Sequence, residues 1–140
     1  MILTLIFTLG EVVYGLEIDA IQEIIEDPVL HHVPRAEGVL KGAINFHGQI
    51  LAMVDLPELL GFAGAMRDPR RVVLTPAGKS LVLTVSSIQR IVPLDLANMH
   101  APPENCEKGA IRGVADMDET AVNLLDTDEI LNQLEARYAE

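Results

Sequence analysis

Ile21-Gln22-Glu23-Ile24-Ile25 has a near copy further along this chain. It returns as Ile88-Gln89-Arg90-Ile91-Val92, a shift of 88 − 21 = 67 positions. The same shift carries Lys41-Gly42-Ala43-Ile44 onto an identical Lys108-Gly109-Ala110-Ile111, and Leu5-Ile6-Phe7-Thr8 onto Val72-Val73-Leu74-Thr75. Leu16 then faces Leu83, and Ile18 faces Val85. Further on, Asp55-Leu56-Pro57-Glu58 answers to Asp126-Thr127-Asp128-Glu129, where the shift has grown to 126 − 55 = 71. One short match among common aliphatic residues is chance. Two at one shift, in order and in like surroundings, indicate a duplication with four residues gained in the second copy. A period this long exceeds that of solenoid repeats, so the copies are two related subdomains. Ile21 should therefore be equivalent to Ile88, and Ile44 to Ile111.

Local patterns agree between the copies. Phe7-Thr8-Leu9-Gly10-Glu11-Val12 sets a turn between two apolar runs, and Thr75-Pro76-Ala77-Gly78-Lys79-Ser80 does the same in the second copy. Both read as hairpins. The β-branched stretches Ile21–Ile25 and Ile88–Val92 follow directly. A further hairpin runs through Ala43–Phe46, the turn His47-Gly48, and Gln49–Val54; its counterpart is Ile111–Met117, the turn Asp118-Glu119, and Ala121–Leu125. That gives about five strands per copy, an all-β pattern of short strands suited to small barrels with no long open edge. The subdomain limits fall near 1–66 and 67–126, two intertwined halves of a single domain over 1–140.

Helices are few. Asp55 and Asp126 each stand three residues before a Glu, the spacing of a capping box. Pro57 suits a first helical turn. Ile130, Leu131, Leu134 and Tyr138 make one apolar face at helical spacing, which predicts a C-terminal helix over 127–138 packed on a barrel. Arg137 near its end suits the helix dipole.

Composition sets bounds. The chain has 140 residues, a net charge of −11 and no Trp. Ten basic residues against 21 acidic ones leave nothing to replace counterions along phosphates, so no nucleic-acid partner is expected. The single Cys106 forms no intrachain bridge and suits a reducing compartment. Met1–Leu9 is apolar, but it lacks the basic n-region and cleavage site of a signal peptide. It also falls far short of the roughly 20 residues that span a bilayer. It reads as a buried strand of a cytoplasmic protein, with no direct membrane insertion.

Recognisable catalytic motifs are absent. The sequence has no glycine-rich phosphate loop, no Cys-x-x-Cys and no His-Glu-x-x-His. His31 and His32 would point to opposite faces of a strand and make a poor metal pair. Asp116, Asp118 and Glu119 resemble the start of a calcium loop but lack its glycine and later Glu. Ser86-Ser87 has no glycine elbow, and the acidic neighbours Glu104 and Glu107 do not favour a Cys106 thiolate. No catalytic residue, metal or cofactor is expected, and the chain reads as not an enzyme.

The middle of the chain carries a family signal. Lys41-Gly42-Ala43-Ile44-Asn45-Phe46-His47-Gly48-Gln49-Ile50-Leu51-Ala52-Met53-Val54-Asp55-Leu56 resembles the signature of the CheW-like chemotaxis coupling proteins. Phe7–Gly10, Tyr14-Gly15-Leu16, Ile21–Ile24 and Val33-Pro34-Arg35-Ala36 are similar to the family's upstream segments. Ile111–Ala115 and Leu124-Leu125-Asp126 are similar to its close. The resemblance implies two five-stranded SH3-like barrels and the role of a non-enzymatic adaptor. Its implied partners are the regulatory domain of a CheA-type histidine kinase and the cytoplasmic tip of methyl-accepting chemoreceptors, with contacts between CheW copies in a ring. Receptor- and kinase-binding candidates are Ile21, Glu23, Gly42, Asn45, His47, Gly48 and Met117, the turn around Gly42 and the hairpin near Met117 being read as exposed aliphatic anchors. The family usually has Arg where this chain has His47, Pro at Ala52 and Arg at Pro57. In the family that Arg is expected to approach the Glu matching Glu23. A permanent cation has thus become one that titrates near neutrality. The alternative reading is a CheW-like module of a divergent, non-flagellar pathway with another partner; an unrelated enzyme or binder on a β-barrel is the third.

Overall fold

The computed structural model describes residues 1–34, 38–75, 81–102 and 110–138. The second-copy turn at Pro76–Ser80, Arg35-Ala36 of the proline segment, Lys108-Gly109, and Cys106 with Glu104 and Glu107 lie outside the described residues. Ten strands form in chain order: β1 Ile2–Leu9, β2 Val12–Glu17, β3 Ile21–Glu26, β4 Leu40–Phe46, β5 Gln49–Asp55, β6 Arg70–Leu74, β7 Leu81–Thr84, β8 Ser87–Leu94, β9 Ile111–Met117 and β10 Thr120–Leu125. A single helical turn, α1 (Leu56–Leu59), follows β5, and α2 (Thr127–Tyr138) follows β10.

The strands make two five-stranded sheets, ordered β8-β1-β2-β10-β9 and β3-β6-β7-β5-β4. Matching each strand of the first copy to its repeat turns one order into the other. The register matches as well. Ile21 pairs with Leu74, and 67 residues away Ile88 pairs with Phe7. Gln22 and Gln89 are each passed over in the pairing, so the same bulge is present twice.

Two sequence-based expectations change. First, the sheets do not follow the copies. Hairpin β1–β2 lies in the sheet of β8, β9 and β10, and hairpin β6–β7 lies in the sheet of β3, β4 and β5. A boundary at 66/67 separates the sequence copies but cuts through both sheets. Second, Ile44 is not equivalent to Ile111. Ile44 pairs with Leu51, and the residue in that place in the other sheet is Ala115, paired with Val122. The shift is already 71 throughout β4 and β9, and Gly42 matches Gly113. The extra residues therefore lie in the connection before β9, where added length disturbs no strand pairing. The identical Lys-Gly-Ala-Ile tetrapeptides are out of structural step.

Each sheet has its own small core. Ile44, Phe46, Leu51, Met53, Val73 and Val82 fill one, and Ile6, Leu94, Ala115, Val122 and Leu124 fill the other. A larger core joins the sheets, with Leu5, Phe7, Leu9, Leu16, Val54, Val72, Leu83, Ile88 and Leu125 among its members. β1 explains the apolar N-terminus: Ile6 faces its own sheet's core, while Leu5, Phe7 and Leu9 face the joint core. A strand buried on both faces needs no polar alternation.

The helices tie the two sheets. α2 leaves the first sheet, yet Leu131, Leu134 and Tyr138 line a groove with Leu40, Ala52, Val54 and Leu81 of the second. The Tyr138 hydroxyl accepts the Leu40 N–H at 3.1 Å. Asp126 caps this helix, its Oδ1 accepting the Glu129 N–H at 3.1 Å. Asp55 does not cap α1. Its carboxylate is held by Arg67 instead, Nε to Oδ1 at 2.8 Å and Nη2 to Oδ2 at 3.0 Å.

Candidate functional site

Six of the seven candidate residues lie on the second sheet. Its outermost strands, β3 and β4, are far apart in the sheet order, and curvature brings their side chains together. His47 Nε2 stands 3.5 Å from Glu23 Oε1, closing that gap on the surface. The turn that presents His47 is built locally. His47 and Gly48 have φ of +48° and +86°, as a tight two-residue hairpin between right-twisted strands requires. Asn45 Oδ1 accepts the Gly48 N–H at 3.0 Å, which fixes the turn from inside the strand. The Phe46 and His47 ring centroids lie 4.3 Å apart. His47 itself remains 72% exposed and free to meet a partner.

The other candidates differ in accessibility. Ile21 is half-buried against the joint core. Gly42 is buried within β4 and is not in a turn: a Cβ there would lie 2.6 Å from the His31 carbonyl oxygen, and its φ is +146°. Only glycine fits that approach. Met117 sits in the first sheet, half-buried on the core of Ala115, Val122 and Leu124, where it matches Phe46. Gly42 offers no free surface, and Met117 exposes only part of its side chain.

Sequence reasoning missed Ile50. It pairs with Asn45 and is 70% exposed. Strand alternation holds the signal, since Leu51 and Met53 point inward and Ile50 therefore points out. A second apolar surface, also unread, lies on the first sheet at Leu3 and Ile91.

The matching end of the first sheet reverses the charges. Glu23 corresponds to Arg90 and His47 to Asp118, which also has positive φ. Arg90 reaches the turn, its Nη2 lying 3.9 Å from Met117 Sδ.

Elsewhere, the Lys41 ammonium, 2.7 Å from Glu58, lowers the Glu58 pKa through a direct hydrogen bond. A groove of about 370 Å³ under α2 is lined almost wholly by aliphatic side chains. A smaller cavity of about 200 Å³ holds the Arg112–Glu17 ion pair with Asp126 and Asp128. Among the described residues, no three His, Cys, Asp or Glu side chains gather as metal ligands would. Nor is any helix among them long and apolar enough to cross a membrane.

Residues 3–135 match the CheW-like domain. The chain belongs to the CheW-like domain family. It is 26% identical over 136 residues to a "Chemotaxis protein CheW" of Klebsiella aerogenes, covering 94% of this chain and 82% of that protein. A "Chemotaxis protein CheW" of Treponema pallidum is 22% identical over 104 residues, 70% of this chain and 61% of the relative. The scaffolding protein TtCheW of Thermoanaerobacter tengcongensis superposes with a TM-score of 0.81 at 22% identity, over 89% of this chain and 88% of that one. The CheW-like fold thus accounts for both sheets together. Within it, His47 faces Glu23 across the closure of the second sheet.

Proposed function

We propose that this chain is a non-enzymatic adaptor of a chemotaxis-type signalling array, working in the cytoplasm. It binds the regulatory domain of a CheA-type histidine kinase and the cytoplasmic tip of methyl-accepting chemoreceptors, and meets further CheW copies in a ring. What carries this reading is the CheW-like match over residues 3–135. It is supported by surfaces that suit protein contact, with exposed Ile50 beside the His47–Glu23 pair on one sheet and exposed Leu3 and Ile91 on the other. Few and exposed apolar anchors flanked by polar groups are what transient protein interfaces use.

The departures at His47, Ala52 and Pro57 favour a second reading, a divergent non-flagellar pathway whose kinase or receptor differs at the contact. One binding experiment separates the two. Tagged protein is tested against a flagellar-type kinase regulatory domain and receptor tip, and against the corresponding pieces from non-flagellar arrays. Retention of kinase and receptor pieces is expected. Retention of neither sort would overturn the adaptor role. The isolated protein should show no nucleotide hydrolysis, and no label should remain on it after incubation with phosphorylated kinase.

A further inference from the structure

We propose that the two sequence copies of this chain can pair between molecules, so that a second copy of the protein is a partner by hairpin exchange, and that Arg67 keeps the pairing within one molecule. The topology is the ground for this. Hairpin β1–β2 is held by β8 from Ile2↔Leu94 to Thr8↔Ser87, and by β10 at Asn123↔Tyr14. Hairpin β6–β7 is held by β3 and β5 in the same manner. The joint core likewise mixes residues of both copies, Leu5 and Phe7 with Ile88 and Leu125. Every one of these contacts can be made as well by the other copy of a neighbouring molecule. One connection, residues 60–69, decides which is used.

That connection is folded back and locked. The Arg67 guanidinium binds Asp55 through two hydrogen bonds, and it also donates to the carbonyls of Ala63 and Ala65. Ala63, Gly64 and Met66 are exposed, and a Cβ on Gly64 would meet nothing within 4 Å. Phe62 packs on the joint core, and the Leu60, Phe62 and Ala65 N–H groups bond to the Leu56, Pro57 and Phe62 carbonyls, which holds the first half of the segment; Arg67 fastens the second half to Asp55. While it is folded back, the tethered copy has a high effective concentration and outcompetes a neighbour. Shortening the connection removes that advantage without touching a strand, the circumstance in which domain swapping takes over.

The test uses the full chain without Ala63–Ala65, in a Cys106→Ser background with Thr8→Cys and Ser87→Cys at paired positions. The parent carrying these cysteines should give a monomer with an intrachain disulfide. The shortened chain should run at twice the mass, with the disulfide linking two chains. A folded, monomeric, intrachain-linked shortened chain would overturn the proposal. Should the shortened chain not fold, a protease site placed after Gly64 decides. Once cut, the folded protein should keep its spectrum and trade halves with isotopically labelled protein, and separation into unfolded fragments would overturn it. Arg67→Ala should give the same cross-linked dimer at high concentration, and a strictly monomeric Arg67→Ala would remove Arg67 from the lock.

Discussion

Asp68 Oδ2 accepts the backbone N–H of Ile88 at 2.8 Å, so a carboxylate just before β6 of one sheet anchors β8 of the other. The same carboxylate takes two hydrogen bonds from the Arg70 guanidinium, at 3.0 and 2.9 Å, and Arg70 in turn donates to the Ile88 carbonyl. Burial alone would raise the Asp68 pKa. The hydrogen bonds from Arg70 and from the Ile88 and Arg70 N–H groups more than reverse this, leaving it at about 2 against an ordinary 3.8.

A depressed carboxyl pKa sets the sign of an acid effect. The unfolded chain takes up the proton more readily, so Asp68 stabilises the fold above pH 3.8, and the contribution is lost as pH falls toward about 2. The shift corresponds to about 2 kcal/mol. Asp68→Asn should be less stable by that order at pH 7 in urea unfolding, and the difference should shrink through that acid window. A difference independent of pH would show that the charge is not what ties the sheets.

Tyr138→Phe removes one hydrogen bond and leaves the Leu40 N–H without its acceptor. A loss of about 1–2 kcal/mol is expected. Hydrogen exchange should report it first at Leu40 and along α2. Unchanged protection there would mean that aliphatic packing alone holds the helix on the second sheet.

Met117→Asp and Ile50→Asp should part company. Met117 packs on a core, and a carboxylate there should cost about 2–4 kcal/mol of stability. Ile50 is exposed and should tolerate the change within about 0.5 kcal/mol, while affinity for the kinase regulatory domain falls at least tenfold. Equal kinase affinity for Ile50→Asp and the parent would place the contact elsewhere.

His47→Arg restores a permanent cation beside Glu23. As an exposed pair it should alter folding by no more than about 0–1 kcal/mol. Partner binding is the better readout, because charge complementarity acts on encounter and specificity more than an exposed pair acts on folding. The variant should bind the kinase regulatory domain more tightly than the parent, because guanidinium is a permanent cation with five donors. Equal affinity of the two would exclude a role for charge at this position.

Much of this was legible in the sequence because it is local. β-Branched runs between turn residues marked the strands, and the Ile21 and Ile88 segments aligned because both carry the same bulge. Asp126 read correctly as a cap, since that bond spans three residues. Asp55 has the same spacing, but a distant Arg67 takes its carboxylate, and no local pattern shows that. The pairing of β1 with β8 was hidden for the same reason: duplication reveals which strands are alike, not which copy supplies a neighbour. Gly42 and Met117 were read as surface because both lie near turns. One is covered by the His31 segment and the other belongs to a barrel interior. His47 and Glu23 were brought together as the family resemblance implied, across a sheet closure that the residues alone did not reveal.

The exchanged hairpins also set a schedule for synthesis. β1 leaves the ribosome first, but its other neighbour, β8, follows nearly 80 residues later, roughly 4–16 s at ~5–20 residues per second. During that interval Leu5, Phe7 and Leu9 lack the Ile88, Leu125 and Ile130 side of the joint core. The nascent chain must carry a strongly apolar strand with one edge unpaired until β8 has been made, and folding waits for contacts of long sequence separation. A fold that ends as a stable connector thus begins as a sticky one, and the chance that two chains on one messenger meet through that strand is greatest before either is complete.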